Sequence, residues 1–231
     1  MDRQPKPRPI NKRSPRDGIV SVLEEDIIFG RMSPRVRLVE DELMARFDAK
    51  RHVVRQALMS LENMGLVSRT PNRGAMVRDF SLTELDQIYE MRHLLQERAI
   101  ARMPLPASPE LLAELRRIHA EHATAVDAWD LPTIYRLNNN FHDTLFGACG
   151  NRHLADAIEH YTWLAHAVRS YRMIHRNLAI QAPKEHEEMI AALEAGDRAR
   201  LQQLCKEHIE PSKDAYRAAR AAIEPKAAVG D

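Results

Sequence analysis

The sequence predicts a mainly α-helical chain in two parts: three helices with a small β-hairpin, then an antiparallel bundle of about six helices. Three observations carry this. Apolar residues recur at three- and four-residue spacing along most of the chain, the period of one helix face. Only residues 66–78 read instead as two short strands around a cluster of turn residues, so a single hairpin is expected. The charge also divides the chain. Residues 1–80 hold 16 Lys/Arg against 11 Asp/Glu, while the remainder holds 18 against 22, which suits a polyanion-binding head on a separate body.

Composition bounds the alternatives. With 44% hydrophobic and 29% charged residues, the chain is globular rather than disordered. No apolar run approaches the roughly 20 residues of a membrane span, and no secretory signal or membrane partner is expected. The two cysteines, Cys149 and Cys205, lack metal or disulfide spacing and fit a reducing cytoplasm.

Residues 1–15 hold Pro5, Pro7, Pro9 and Pro15 and five of the cations, so they read as a flexible basic arm. A first helix is expected over 17–29, with Ile19, Leu23, Ile27 and Ile28 on one face and Gly30 as its stop. Residues 31–37 read as a turn through Ser33-Pro34. A short helix over 40–47 breaks at Asp48, and a third runs over 50–64 with Val54, Leu58 and Leu61 inward and Gly65 as its cap. Strands over 66–69 and 75–78 then flank Thr70-Pro71-Asn72-Arg73-Gly74. Helix, turn, helix and hairpin in this order make a winged helix-turn-helix over 16–80, whose second motif helix lies in the DNA major groove. Lys50, Arg51, His52 and Arg55 stand at that helix's N-terminal end, where its dipole disfavours cations unless they serve a ligand. Arg73 and Gly74 would reach the backbone or minor groove from the hairpin.

The body, 81–231, reads as helices throughout. Ser81-Leu82-Thr83-Glu84 is a capping box opening a helix to Met103. Pro109 starts a helix to Ala128, and Asp130 and Pro132 open another to about Gly147. One helix is expected over 152–174, one over 183–195, and a last after Gly196-Asp197 that passes Pro211 with a kink.

Two features of the body point to a ligand. Asn138 and His142, four residues apart, share one helix face, while His186 and His208 lie on the apolar faces of two further helices. Buried imidazoles need either backbone partners or a shared purpose; with an oxygen donor they suit Zn²⁺ or a similar ion. Arg92 falls within the apolar face of Leu85, Ile88, Tyr89 and Leu95, where it requires an anion, either an internal carboxylate or that of a ligand. Arg172 sits similarly against Leu154, Ile158, Tyr161 and Val168.

The stretches Ile27–Met32, Leu43–Phe47, Val54–Leu58, Leu61-Glu62, Gly65–Val67 and Arg73–Val77 resemble the DNA-binding half of GntR-family regulators. There Lys50-Arg51-His52 replaces a Ser-Arg-Thr-like start to the recognition helix, and Pro34-Arg35 replaces a common Pro-Gly. Residues 83–223 resemble the FCD effector domain of the family's FadR branch, through Ile88–Arg92, Asn138–Leu145, Gly150-Asn151, Glu185-His186, Ala195–Asp197 and His208-Ile209. The resemblance implies a metal held by Asn138, His142, His186 and His208, with Asn in place of the commoner Asp. The ion expected is Zn²⁺, with Ni²⁺ or Mn²⁺ as alternatives. It implies an anionic effector meeting Arg92 near that ion. The expected function is a cytoplasmic, homodimeric repressor of a catabolic or transport operon, bound to a double-stranded DNA operator and released by a small organic acid. A metal-dependent enzyme acting on a small carboxylate and a ligand-independent DNA-binding protein are the alternatives.

Overall fold

A computed structural model of the chain describes residues 15–70, 74–166, 168–169 and 175–223. Helix α1 (Pro15–Ile28) buries the expected stripe of Ile19, Leu23, Ile27 and Ile28. The turn that follows places Arg35 at φ 68°, the left-handed region that glycine adopts freely. Its backbone N–H donates to Val77 O at 3.0 Å and its guanidinium reaches Asp79 at 2.6 Å, contacts that hold a non-glycine residue there.

Arg37, expected as the last residue of the turn, instead forms a strand with Leu38. This β1 (Arg37–Leu38) pairs antiparallel with β3 (Gly74–Val77), which also pairs with β2 (Val67–Thr70), giving the order β1-β3-β2. Two residues are too few to show a period. Between them lie α2 (Glu40–Phe47) and α3 (Arg51–Asn63), separated by Asp48 at φ 45°. Val54, Ala57, Leu58 and Leu61 of α3 are buried against α1. Among the described residues this head has its own core, from Ile19 to Val77.

Helix α4 (Leu82–Arg102) begins at Ser81, whose hydroxyl accepts from the Glu84 N–H at 3.1 Å. Ser108, Asp130 and Asn151 likewise cap α5 (Pro109–Ala128), α6 (Leu131–Gly147) and α7 (Arg152–Leu164). Each of these side-chain acceptors satisfies an otherwise orphaned N–H. The helix expected over 152–174 stops at Leu164, with Ala165 as its cap. A short α8 (Arg176–Ala179) precedes α9 (Ala182–Ala195), and α10 (Arg198–Ile223) continues through Pro211. Helix α5 packs on α6 and α9, α9 on α10, and α4 on α7 and α10. Their apolar faces surround an interior pocket.

Linker residues bind head to body. Asp79 accepts from Arg35 on the head and from Tyr216 and Arg220 on α10. The Phe80 N–H donates to Tyr216 Oη at 3.1 Å. Gly65, at φ 74°, meets Leu164 of α7 so closely that an added Cβ would stand 2.8 Å from Leu164 Cδ2.

Candidate functional site

The pocket is lined by Arg92 and Gln96 from α4, His122 from α5, Asn138 and His142 from α6, His208 and Ser212 from α10, and Arg169. Its volume is about 50 Å³, against the roughly 10–15 Å³ that one water needs. It is scaled for a small molecule.

At one end the imidazoles of His142, His186 and His208 bring donor nitrogens within 4.8 Å of one another. His186 and His208 are buried. His142 Nε2 and His208 Nε2 are 2.9 Å apart. Asn138, one turn before His142, lines the same pocket. Glu185 Oε2 lies 2.5 Å from His208 Nδ1, so Nδ1 carries the proton and Nε2 presents its lone pair to the cluster. Phe141 stacks on His186 with centroids 4.0 Å apart, fixing that ring. This donor set can hold a borderline divalent ion bonded at about 2.0–2.1 Å to nitrogen. His122, which sequence reasoning passed over, is fully buried with its ring centroid 5.0 Å from that of His186. The signal for it was its place on the Leu115, Ile118, Ala125 face of α5.

Arg92 is 4% exposed, and among the described residues its Nε and Nη1 have no hydrogen-bond partner. Its guanidinium lies over Tyr89 at 4.8 Å. Among the described residues no carboxylate forms an ion pair with it; Glu210 acts on it only through space, and Glu210 Oε1 lies 2.9 Å from His93 Nε2. Burial pulls its pKa below the ordinary arginine value, and Tyr89 and Glu210 only partly offset this.

A second buried guanidinium was not foreseen. Arg169 is 8% exposed, donates to Asn139 Oδ1 at 2.7 Å and faces His166 Nε2 at 3.2 Å. Burial, and then the charge of Arg92, hold its pKa down to about 10. The helix expected over 152–174 ends at Leu164, yet Ala165 and Val168 continue its buried stripe, and Arg169 beside them lines the pocket. Arg172 lies outside the described residues, as does Arg73.

On the head, Lys50, Arg51, His52 and Arg55 are all exposed along the start of α3, and Gly74 is exposed in β3. Arg51 meets Asp41 at 2.6 Å and Glu40 at 3.3 Å, and Arg55 meets Glu40 at 2.9 Å. Arg55, then Arg51, outweighs burial and keeps the Glu40 carboxyl below its ordinary pKa. Arg51 and Arg55 are thus aligned by the acidic start of α2.

Comparison with known proteins accounts for both halves. Residues 15–77 match the bacterial regulatory proteins of the gntR family and residues 87–211 match the FCD domain. The HTH-type transcriptional repressor RspR of Escherichia coli (strain K12) is 22% identical over 213 residues, 92% of this chain and 91% of its own. The HTH-type transcriptional repressor GlaR of the same strain is 27% identical over 206 residues, 81% and 89% of the two chains. A candidate GntR transcriptional regulator from Rhodococcus sp. RHA1 shares the fold with a TM-score of 0.71 at 21% identity, covering 88% of this chain and 98% of that one. No helix among the described residues is long and apolar enough to cross a membrane. The chain belongs to the gntR family of bacterial regulatory proteins, in the group that carries an FCD domain.

Proposed function

We propose that the chain is a homodimeric, ligand-responsive repressor whose head (16–80) binds an operator and whose body (81–231) binds a small organic acid beside a divalent metal. The observation that carries this reading is the pairing, at one small pocket, of a His142/His186/His208 cluster with a buried Arg92 whose Nε and Nη1 have no hydrogen-bond partner among the described residues. An unpaired buried charge costs several kcal/mol, so Arg92 is best explained by an anion that arrives from outside. The metal, Zn²⁺ in the first instance, would supply a positive charge that draws a carboxylate inward. Asn138, His142, His186 and His208 would hold it, with Glu185 orienting His208. The only carboxylate on the cluster among the described residues, Glu185, is already engaged with His208, which favours sensing over turnover by an acid–base mechanism.

On the head, Arg51 and Arg55 would address base edges and Lys50, His52 and Arg73 the phosphates, with Gly74 allowing close approach of the wing. Loss of operator affinity on ligand binding would release a nearby catabolic or transport operon. Elemental analysis of the purified protein should find about one divalent ion per chain, and chelation should lower its melting temperature. His186→Ala/His208→Ala should abolish both, whereas retained stoichiometric metal would overturn the assignment. Arg51→Ala should weaken operator binding by about 1–3 kcal/mol; an equal loss on random duplex would restrict Arg51 to phosphate contact.

A further inference from the structure

We infer that the effector is a small dianion, with one negative charge taken by Arg92 and the other by Arg169. This rests on the reading of the pocket as an effector site and narrows the class of molecule that fits it.

Both guanidiniums are more than nine-tenths buried and both line the same cavity. Neither is neutralised among the described residues. Arg169 is held by the neutral groups Asn139 and His166, and His166 stays uncharged because burial, Arg169 and Arg92 all push its pKa well down. Asp143 lies within electrostatic reach of Arg169, but among the described residues no ion pair joins the two. Glu210 acts on Arg92 only through space, with no ion pair between them among the described residues. The metal-ligating set of Asn138 and three histidines is neutral, so an ion there adds positive charge rather than cancelling any. A monoanion answers only one of two buried cations that repel each other. A dianion answers both, and each guanidinium offers a fork of donors to a planar carboxylate or a phosphoryl group. The small cavity restricts the candidates to short diacids or a compact phosphomonoester.

Titration calorimetry on the full-length, zinc-loaded protein tests this. Malonate, succinate and glutarate are compared with propionate, butyrate and valerate, and glycerol phosphate forms a third arm. The best dianion should bind at least about tenfold more tightly than its matched monoanion, the value of one charge-assisted contact. In Arg169→Gln that advantage should disappear while monoanion affinity is retained, which also reports an intact pocket. Preference for the phosphomonoester would place both charges on one group, and preference for a diacid would separate them. Equal affinity for monoanions and dianions in the wild type overturns the inference while leaving the organic-acid reading standing. A dianion advantage that survives Arg169→Gln would belong to the metal cluster and equally overturns it. Failure of every anion to bind overturns the effector reading as well. Should Arg169→Gln melt below the assay temperature, Arg169→Lys decides: loss of the fork should shrink the advantage about threefold or more, and an unchanged advantage sinks the proposal.

Discussion

At the scale of single residues, the chain places unusual side chains where backbone or charge is under constraint. Gly65 answers two demands at once, a φ of 74° and the near contact with Leu164 across the head–body seam. Gly65→Ala should cost about 2–3 kcal/mol, of which roughly 1–2 kcal/mol is the left-handed conformation itself. Adding Leu164→Ala should recover the steric part and leave the conformational part, a separation readable in a double-mutant cycle by denaturant melts. Full recovery would show that φ contributes nothing. His166 supplies a pH dependence. It sits stacked on Trp163 with centroids 4.1 Å apart, against Tyr135 of α6 and beside Arg169. Its folded pKa is well below the ordinary 6.5, so the unfolded chain takes up the proton first. Stability from this group is complete above pH 6.5 and falls as the pH drops below it, by about 1 kcal/mol per unit. Melting temperatures between pH 7.5 and 5.5 should show the decline, and His166→Gln should flatten it. The sequence disclosed the candidates Arg92, His142, His186 and His208 because helical periodicity placed polar side chains on apolar faces. It did not disclose Arg169, which falls at the edge of the Leu154, Ile158 and Val168 face rather than at its centre.

At the scale of elements, legibility followed the strength of local signals. Helix α5 begins at a Ser108-Pro109 start and α4 at a capping box, and both lie where those signals place them. Strand β1 has no signal of its own and exists because β3 offers an open edge to pair with. The α2–α3 pair shows how elements divide a task. Glu40 and Asp41, favoured at the start of α2 by its dipole, also hold Arg51 and Arg55 of α3. DNA phosphates must compete with those carboxylates. Exposed pairs of this kind are worth up to about 1 kcal/mol, so Glu40→Gln should raise affinity for random duplex about two- to fivefold. Specific operator affinity should rise less, since Glu40 also orients the guanidiniums. Filter binding on both duplexes would reveal this, and an unchanged ratio would limit Glu40 to charge.

At the scale of the whole molecule, composition and period sufficed for a basic head on a helical body, but not for how the two touch. That contact depends on pairs far apart in sequence. Phe29 and Tyr135 pack against both main cores, with ring centroids 6.3 Å apart. Tyr135 also carries a hydrogen-bonded path from the pocket to Glu24 of α1. Arg169 can only donate, so His166 Nε2 accepts and its proton resides on Nδ1. Nδ1–H then donates to Tyr135 Oη, and Tyr135 donates to Glu24 Oε1 of α1 at 3.1 Å. The path thus joins a pocket-lining arginine to the first helix of the head. Proximity alone does not establish coupling, but it makes coupling measurable. Tyr135→Phe keeps the ring between the cores and removes the hydroxyl through which the path runs. Operator affinity without ligand should change little, and affinity for the tightest-binding acid should stay within a few-fold of wild type. The ratio of operator affinities with and without saturating acid should shrink. Coupling of this kind amounts to about 1–3 kcal/mol, so a reduction of roughly fivefold or more is expected. Glu24→Gln, which weakens the last acceptor but retains a hydrogen bond, should fall between wild type and Tyr135→Phe. If Tyr135→Phe responds to the acid as wild type does, the signal reaches the head by another route, and the Asp79 junction with Arg35, Tyr216 and Arg220 becomes the one to cut.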